Sequence, residues 1–186
     1  TFRMPNHDID ASYEDVKTLY LEDGAIELIN SDAGNGYRQD GKTLRTWRGK
    51  YRILMDADDN EDGSSTDNRL IVDGDFTGRD ISLGKLNIKS NDSIELRSGT
   101  TTVSLKATEI QAKNIAVPVG AKLALTSALD TKAELTLTPS NGYAAIGGHN
   151  SASGEITLDQ LEISMTLPAG STASGIGAGS QDALDG

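Results

Sequence analysis

From residue 69 onward, apolar and polar residues alternate with a period of two, the pattern of strands that bury one face. The runs are RLIV (69–72), DISLGKLNI (80–88), SIEL (93–96), TTVSLKA (101–107), EIQAKNIAV (109–117), AKLALT (121–126), AELTL (133–137) and GEITLDQLEISMTL (154–167). Gly, Asn, Asp, Ser and Thr separate them, residues that permit tight turns or hydrogen-bond them locally. No stretch in this half carries helical periodicity, so the expected class is all-β.

Several runs are copies of one another. ISLGKLNIK (81–89) and ITLDQLEIS (156–164) share the pattern I-[ST]-L-x-x-L-x-I, and VSLKATEIQ (103–111) keeps every apolar position except Thr108. The copies at 81 and 103 start 22 residues apart, and LAL (123–125) follows after another 20. Leu96, Val117 and Leu137 are spaced similarly, by 21 and 20. Short strands repeating at this period are what stacked coils produce. One coil cannot bury its inward Ile and Leu alone, whereas stacking turns those positions into continuous apolar ladders. The expected architecture is therefore a parallel β-helix-like solenoid over 69–186 with an N-terminal capping segment over 1–68, forming one continuous domain.

Within that first segment, DASYEDVKTLYLEDG offers a Ser12…Asp15 spacing suited to a short helix, while TLYLEDGAIELI alternates like strands. Residues 1–36 are read as a terminal strand or short helix over the open end, where bare strand edges need cover. YRQDGKTLRTWRGKYRILM (37–55) is read as a hairpin or two strands. Two glycine runs, GYAAIGG (142–148) and ASGIGAG (173–179), echo each other. Neither has the spacing of a dinucleotide fingerprint, and no Lys follows as in a P-loop, so both are assigned to corners where backbones stack closely. The first run leads into EITL, whereas the second leads into SQDALDG, so the repeat reads as cut in mid-coil. With Thr1 at its start, the chain is expected to be a segment of a larger protein.

Composition narrows the function. A net charge of −11, with 28 acidic and 17 basic residues, argues against nucleic acid, which needs a basic face. Aromatics are only 4%, too few for base-stacking platforms, and the absence of Cys excludes disulfides, thiolate metal sites and a Cys nucleophile. No apolar run reaches the length of a transmembrane helix, and no membrane insertion is expected.

Two stretches carry candidate chemistry. DADDNEDGSSTD (56–67) contains Asp58, Asn60 and Asp62 before Gly63, the opening of an EF-hand-like calcium loop, although the twelfth position is Arg69 instead of Glu. The competing reading is a solvated acidic turn. The segment 37–52 gathers six of the basic residues around Tyr37, Trp47 and Tyr51. Tyr37, Arg45, Trp47 and Arg48 are the candidate glycan contacts, aromatic faces backed by guanidinium groups. A strand pair packing its aromatics inward and balancing the acidic loop is the alternative. Catalysis is not expected: His7 and His149 lie far apart, and nothing in the sequence converges Asp56, Asp58 and Asp62 with Arg48 and Arg52.

The order RLIVDGDFTGRDISLGKLNIKS, TTVSLKATEIQAKNIAVPVGAKLALTS, YAAIGGHNSASGEITLDQLEIS and SGIGAGS resembles a glycine-rich GAGIGGG…ITI β-solenoid repeat of bacterial extracellular surface proteins. That module is also found in the variable outer domain of some flagellins. The resemblance covers 69–186 and, more loosely, 19–55. It departs at KATEIQ, where the repeat favours KGTN, and at DQLEIS, where it favours glycine-rich turns. It implies a right-handed parallel β-helix-like fold, an extracellular or cell-surface location and a structural, non-enzymatic role. Its partners would be neighbouring copies in a filament or cell-surface glycans, and it brings no catalytic site.

Overall fold

The structure is a computed structural model describing residues 16–32, 34–57, 64–107 and 109–179. Within these residues the protein is all-β, without an α-helix, and its strands form three sheets. The first contains β1 (Val16–Tyr20), β5 (Lys50–Leu54), β7 (Ile81–Leu83), β10 (Thr100–Leu105), β13 (Lys122–Ser127) and β16 (Glu155–Asp159), all parallel. The second contains β8 (Leu86–Asn87), β11 (Glu109–Ala112), β14 (Ala133–Leu137) and β17 (Leu161–Met165), again parallel. The third contains β2 (Ile26–Ser31), β6 (Leu70–Gly74), β9 (Ile94–Ser98), β12 (Ile115–Ala116), β15 (Ile146–Gly147) and β18 (Ile176–Gly177) in parallel. β3 (Gly34–Gln39) and β4 (Arg45–Thr46) extend this third sheet antiparallel at its N-terminal edge.

From Ile81 the chain visits the first, second and third sheets in that order, four times in succession. Each visit adds one strand beside the last, so equivalent side chains stack in columns. Ile81, Val103, Leu125 and Leu158 form one. Leu86, Ile110, Leu135 and Ile163 form a second. Ile26, Leu70, Ile94, Ile115, Ile146 and Ile176 form a third. Except for the last member of each, these side chains are buried in one core. Each buried Ile or Leu contributes about 1.5–3 kcal/mol over its exposed state. Strands before residue 69 enter the same sheets, since β5 pairs with β7 and β2 with β6.

Register differs from the sequence alignment in an instructive way. The alignment sets Ile156 against Ile81, but the structure puts Leu158 in that column, and Ile156 pairs with Leu123. Likewise Ile110 pairs with Leu86 rather than Ile88, because four residues separate Leu105 from Ile110 where two separate Leu83 from Leu86. Both shifts are even, so every side chain keeps its face. The spacing of Leu96, Val117 and Leu137 does not mark equivalent positions. Leu96 lies in the third sheet, whereas Leu137 lies in the second beside Ala112 and Met165.

Polar side chains hold the corners between the second and third sheets. Asn114, 1% exposed, accepts from the Asp92 amide at 2.8 Å and donates to the Asp92 carboxylate at 3.2 Å. The Ser93 hydroxyl donates to the Ser90 carbonyl at 2.7 Å and accepts from the Lys113 amide at 2.8 Å. Backbone groups that leave a strand at these corners thereby find partners without water.

Outside the third sheet, Ile71 points away from the core yet is only 7% exposed. It pairs with Glu27 on one side and Glu95 on the other, and the Arg97 guanidinium reaches both carboxylates, at 2.8 and 3.2 Å. Arg38 on Glu27 and Arg69 on Glu95, at 3.2 and 3.4 Å, extend the network. Arg97 thus bridges the two carboxylates that flank the outward isoleucine.

The two ends differ. At the N-terminal end Tyr37, Tyr51 and Phe76 pack edge to face, with centroids 6.4 and 6.2 Å apart, and plug the core. At the other end, β16, β17 and β18 are the last strands of their sheets among the described residues. There Ile156, Leu158, Leu161 and Ile163 are half-buried, and Met165, Leu167 and Ile176 are exposed.

Candidate functional site

Most of the chemistry lies at the plugged end. β3 returns antiparallel along β2 and sets Tyr37 opposite Leu28, which faces the core; β4 then sets Arg45 opposite Tyr37. Tyr37 is 5% exposed, so its ring is a core element. Burial pushes the Tyr51 phenol far above its ordinary value, more than the nearby Arg79 charge lowers it. The phenol stays neutral and donates to the Trp47 carbonyl at 3.5 Å. The Trp47 indole N–H donates to the Lys50 carbonyl at 3.2 Å, and its ring packs partly buried against the core.

β1 ends the first sheet with a cation. Lys17 pairs with Tyr51, which pairs with Ile81, so it occupies the inward column where an apolar residue would continue the ladder. Its ammonium lies 5.7 Å from the centre of the Tyr37 ring, within cation–π range. Beside it opens a cleft of about 390 Å3 whose lining includes Lys17, Lys42 and Arg45, one acid, Asp23, and the Tyr37 ring. Lys42 and Arg45 are exposed, and neither forms an ion pair among the described residues.

Of the four expected glycan contacts, the structure brings Tyr37 and Arg45 to this cleft; Trp47 and the exposed Arg48 are not in its lining. Lys17 was not singled out in the sequence. VKTLY carries no parity signal, and only its pairing with Tyr51 identifies the inward position. Asp58, Asn60 and Asp62 lie outside the described residues, as does most of their loop. Next to that loop, the Ser64 hydroxyl donates to the Asp56 carboxylate at 3.5 Å. Among the described residues, no three His, Asp or Glu side chains are grouped to hold a metal ion.

The glycine runs are spent on backbone pairing. Gly147 and Gly177 pair directly between β15 and β18, and a Cβ on Gly147, at φ +142°, would sit 1.8 Å from the Gly177 carbonyl oxygen. The Gly148 amide donates to that same oxygen at 2.8 Å, and the Ile146 amide to the Gly175 carbonyl at 3.0 Å. A hollow of about 220 Å3 beside them is lined by Asp92, Glu95 and His149, with no Lys or Arg in its lining to receive a phosphate. His149 stacks on Tyr143, with ring centres 3.6 Å apart.

No protein-family model, curated protein or solved structure matches this chain. Among the described residues, no helix is long and apolar enough to cross a membrane.

Proposed function

We propose that the chain is a parallel β-solenoid with an N-terminal cap, serving as a non-enzymatic structural module of a bacterial extracellular protein. The outer variable domain of a flagellin, or a comparable filament or cell-surface scaffold, is the role we favour. The observation that carries this reading is the repeated order of visits to three parallel sheets, with one apolar column per sheet. Such a unit is stiff along its stacking direction, and its outward residues can vary without disturbing the ladders. The negative net charge suits a surface that stays soluble at high local density. Neighbouring copies are the proposed partners in a filament.

Antibodies raised against the purified chain test the reading by immunogold labelling of source cells. Label on the outer surface or on filaments of intact cells is expected. Label confined to the cytoplasm of sectioned cells would overturn it.

A further inference from the structure

Beyond a structural role, we propose that the cleft under the β3–β4 hairpin binds an acidic oligosaccharide, holding sugar carboxylates between Lys17, Lys42 and Arg45. Three observations carry this. The first is charge: in a chain of net charge −11, three cations share a cleft of about 390 Å3 with a single acid. Left unoccupied, they repel one another, and an anion between them removes that cost. The second is placement: Lys17 stands in the inward column of the first sheet, in register with the buried Tyr51 and Ile81. An inward lysine on a terminal strand discourages further strand pairing, which accounts for Lys17 alone. It does not account for Lys42 and Arg45, which reach the same cleft from the hairpin without an ion-pair partner among the described residues.

The third is the acceptor set, which selects the ligand class. Asp23 and Thr43 line the cleft beside the cations, and the Gln39 amide N–H2 is engaged by the Tyr20 carbonyl, leaving its own carbonyl as an acceptor. A bare oxyanion offers no donors to such groups and is repelled by Asp23. A uronic-acid sugar offers both, a carboxylate for the cations and hydroxyl donors for Asp23, Thr43 and Gln39. The cleft is also within the size range of small-molecule sites, roughly 300–1,000 Å3. The aromatic rings contribute walls and not a stacking platform, since Tyr37 is buried and already faces the Lys17 ammonium.

The test is calorimetric titration of the full chain at low salt with oligogalacturonate, neutral maltooligosaccharide of equal length, and citrate as a carboxylate source without a sugar. Oligogalacturonate is expected to bind, with affinity falling as salt rises, and the other two are expected to bind at least about tenfold more weakly. K42A/R45A should weaken oligogalacturonate binding by at least about tenfold while leaving the circular dichroism spectrum unchanged and without lowering the melting temperature. Trp47→Ala, outside the cleft, should bind as the parent does. Absence of oligogalacturonate binding, equal binding of citrate or maltooligosaccharide, or full affinity in K42A/R45A would each overturn the proposal.

Discussion

Replacing Thr101 with valine should make the protein more stable. Thr101 lies in β10 with its side chain facing the core, 0% exposed, and its hydroxyl has no hydrogen-bond partner. Its strand neighbour is Leu123, which in turn pairs with Ile156. A buried hydroxyl that lacks a partner costs about 1–3 kcal/mol in proteins. Valine keeps the shape and the β-branched rotamer preference while exchanging the hydroxyl for a methyl. The expected gain is about 1 kcal/mol, which moves the urea midpoint up by roughly 0.3–1 M at an unchanged m-value. By the same scale, the melting temperature rises by about 2–4 °C. Urea unfolding followed by far-ultraviolet circular dichroism measures this directly. Thr101→Ser is the control, because it keeps the hydroxyl and deletes the methyl, and it should cost about 1 kcal/mol. A Thr101→Val midpoint equal to or below that of the parent would mean that the hydroxyl is satisfied, and the reasoning would fail.

Gly147→Ala should cost more than about 2 kcal/mol and abolish hydrogen-exchange protection of the Gly148 amide, because its Cβ collides with the Gly177 carbonyl. Gly177→Ala, which meets nothing within 4 Å, should cost only its backbone strain, about 1 kcal/mol, in the same urea assay. Arg97→Ala should cost about 0.5–1 kcal/mol through its ion pairs with Glu27 and Glu95, and a double-mutant cycle with Glu27→Gln should return a coupling that shrinks with added salt. The Thr77 hydroxyl and then the Thr77 amide, at 2.6 and 2.8 Å, hold the Asp75 carboxyl below its ordinary value. That contribution is therefore complete above the ordinary carboxylate pKa and is lost as pH falls through the lowered one; in Thr77→Ala, an NMR titration should find Asp75 closer to its ordinary value. If Asp58, Asn60 and Asp62 open a calcium loop and not a solvated acidic turn, calcium should raise the melting temperature, and calorimetry without binding heat would remove that site.

The alternation of ISLGKLNI and KLALTS was enough to identify which residues face inward, because a side-chain period of two is a local property. Register was harder, since shifting one repeat past another by two residues preserves that alternation and leaves Ile156 and Leu158 interchangeable on paper. What decides between them is the length of the connections, such as that between Leu105 and Ile110, and short connections of Gly, Ser and Asn do not encode their length in any pattern. The glycine echo was legible because close backbone approach admits no other residue at Gly147. The cleft was half legible. Arg45 and Tyr37 stand out by type, but Lys17 joins them through β1–β5 pairing, a contact between segments 34 residues apart. Trp47 stands out as the lone tryptophan, yet its indole is committed to the Lys50 carbonyl.

The unlike ends give the molecule a direction. Each parallel strand hydrogen-bonds to the strands beside it, so pairing is passed along each sheet from neighbour to neighbour. One terminus is sealed by three aromatic rings and an inward lysine, while the other, among the described residues, offers half-covered isoleucines and leucines on the last strand of each sheet. Fraying therefore starts at β16–β18 and retreats toward the seal.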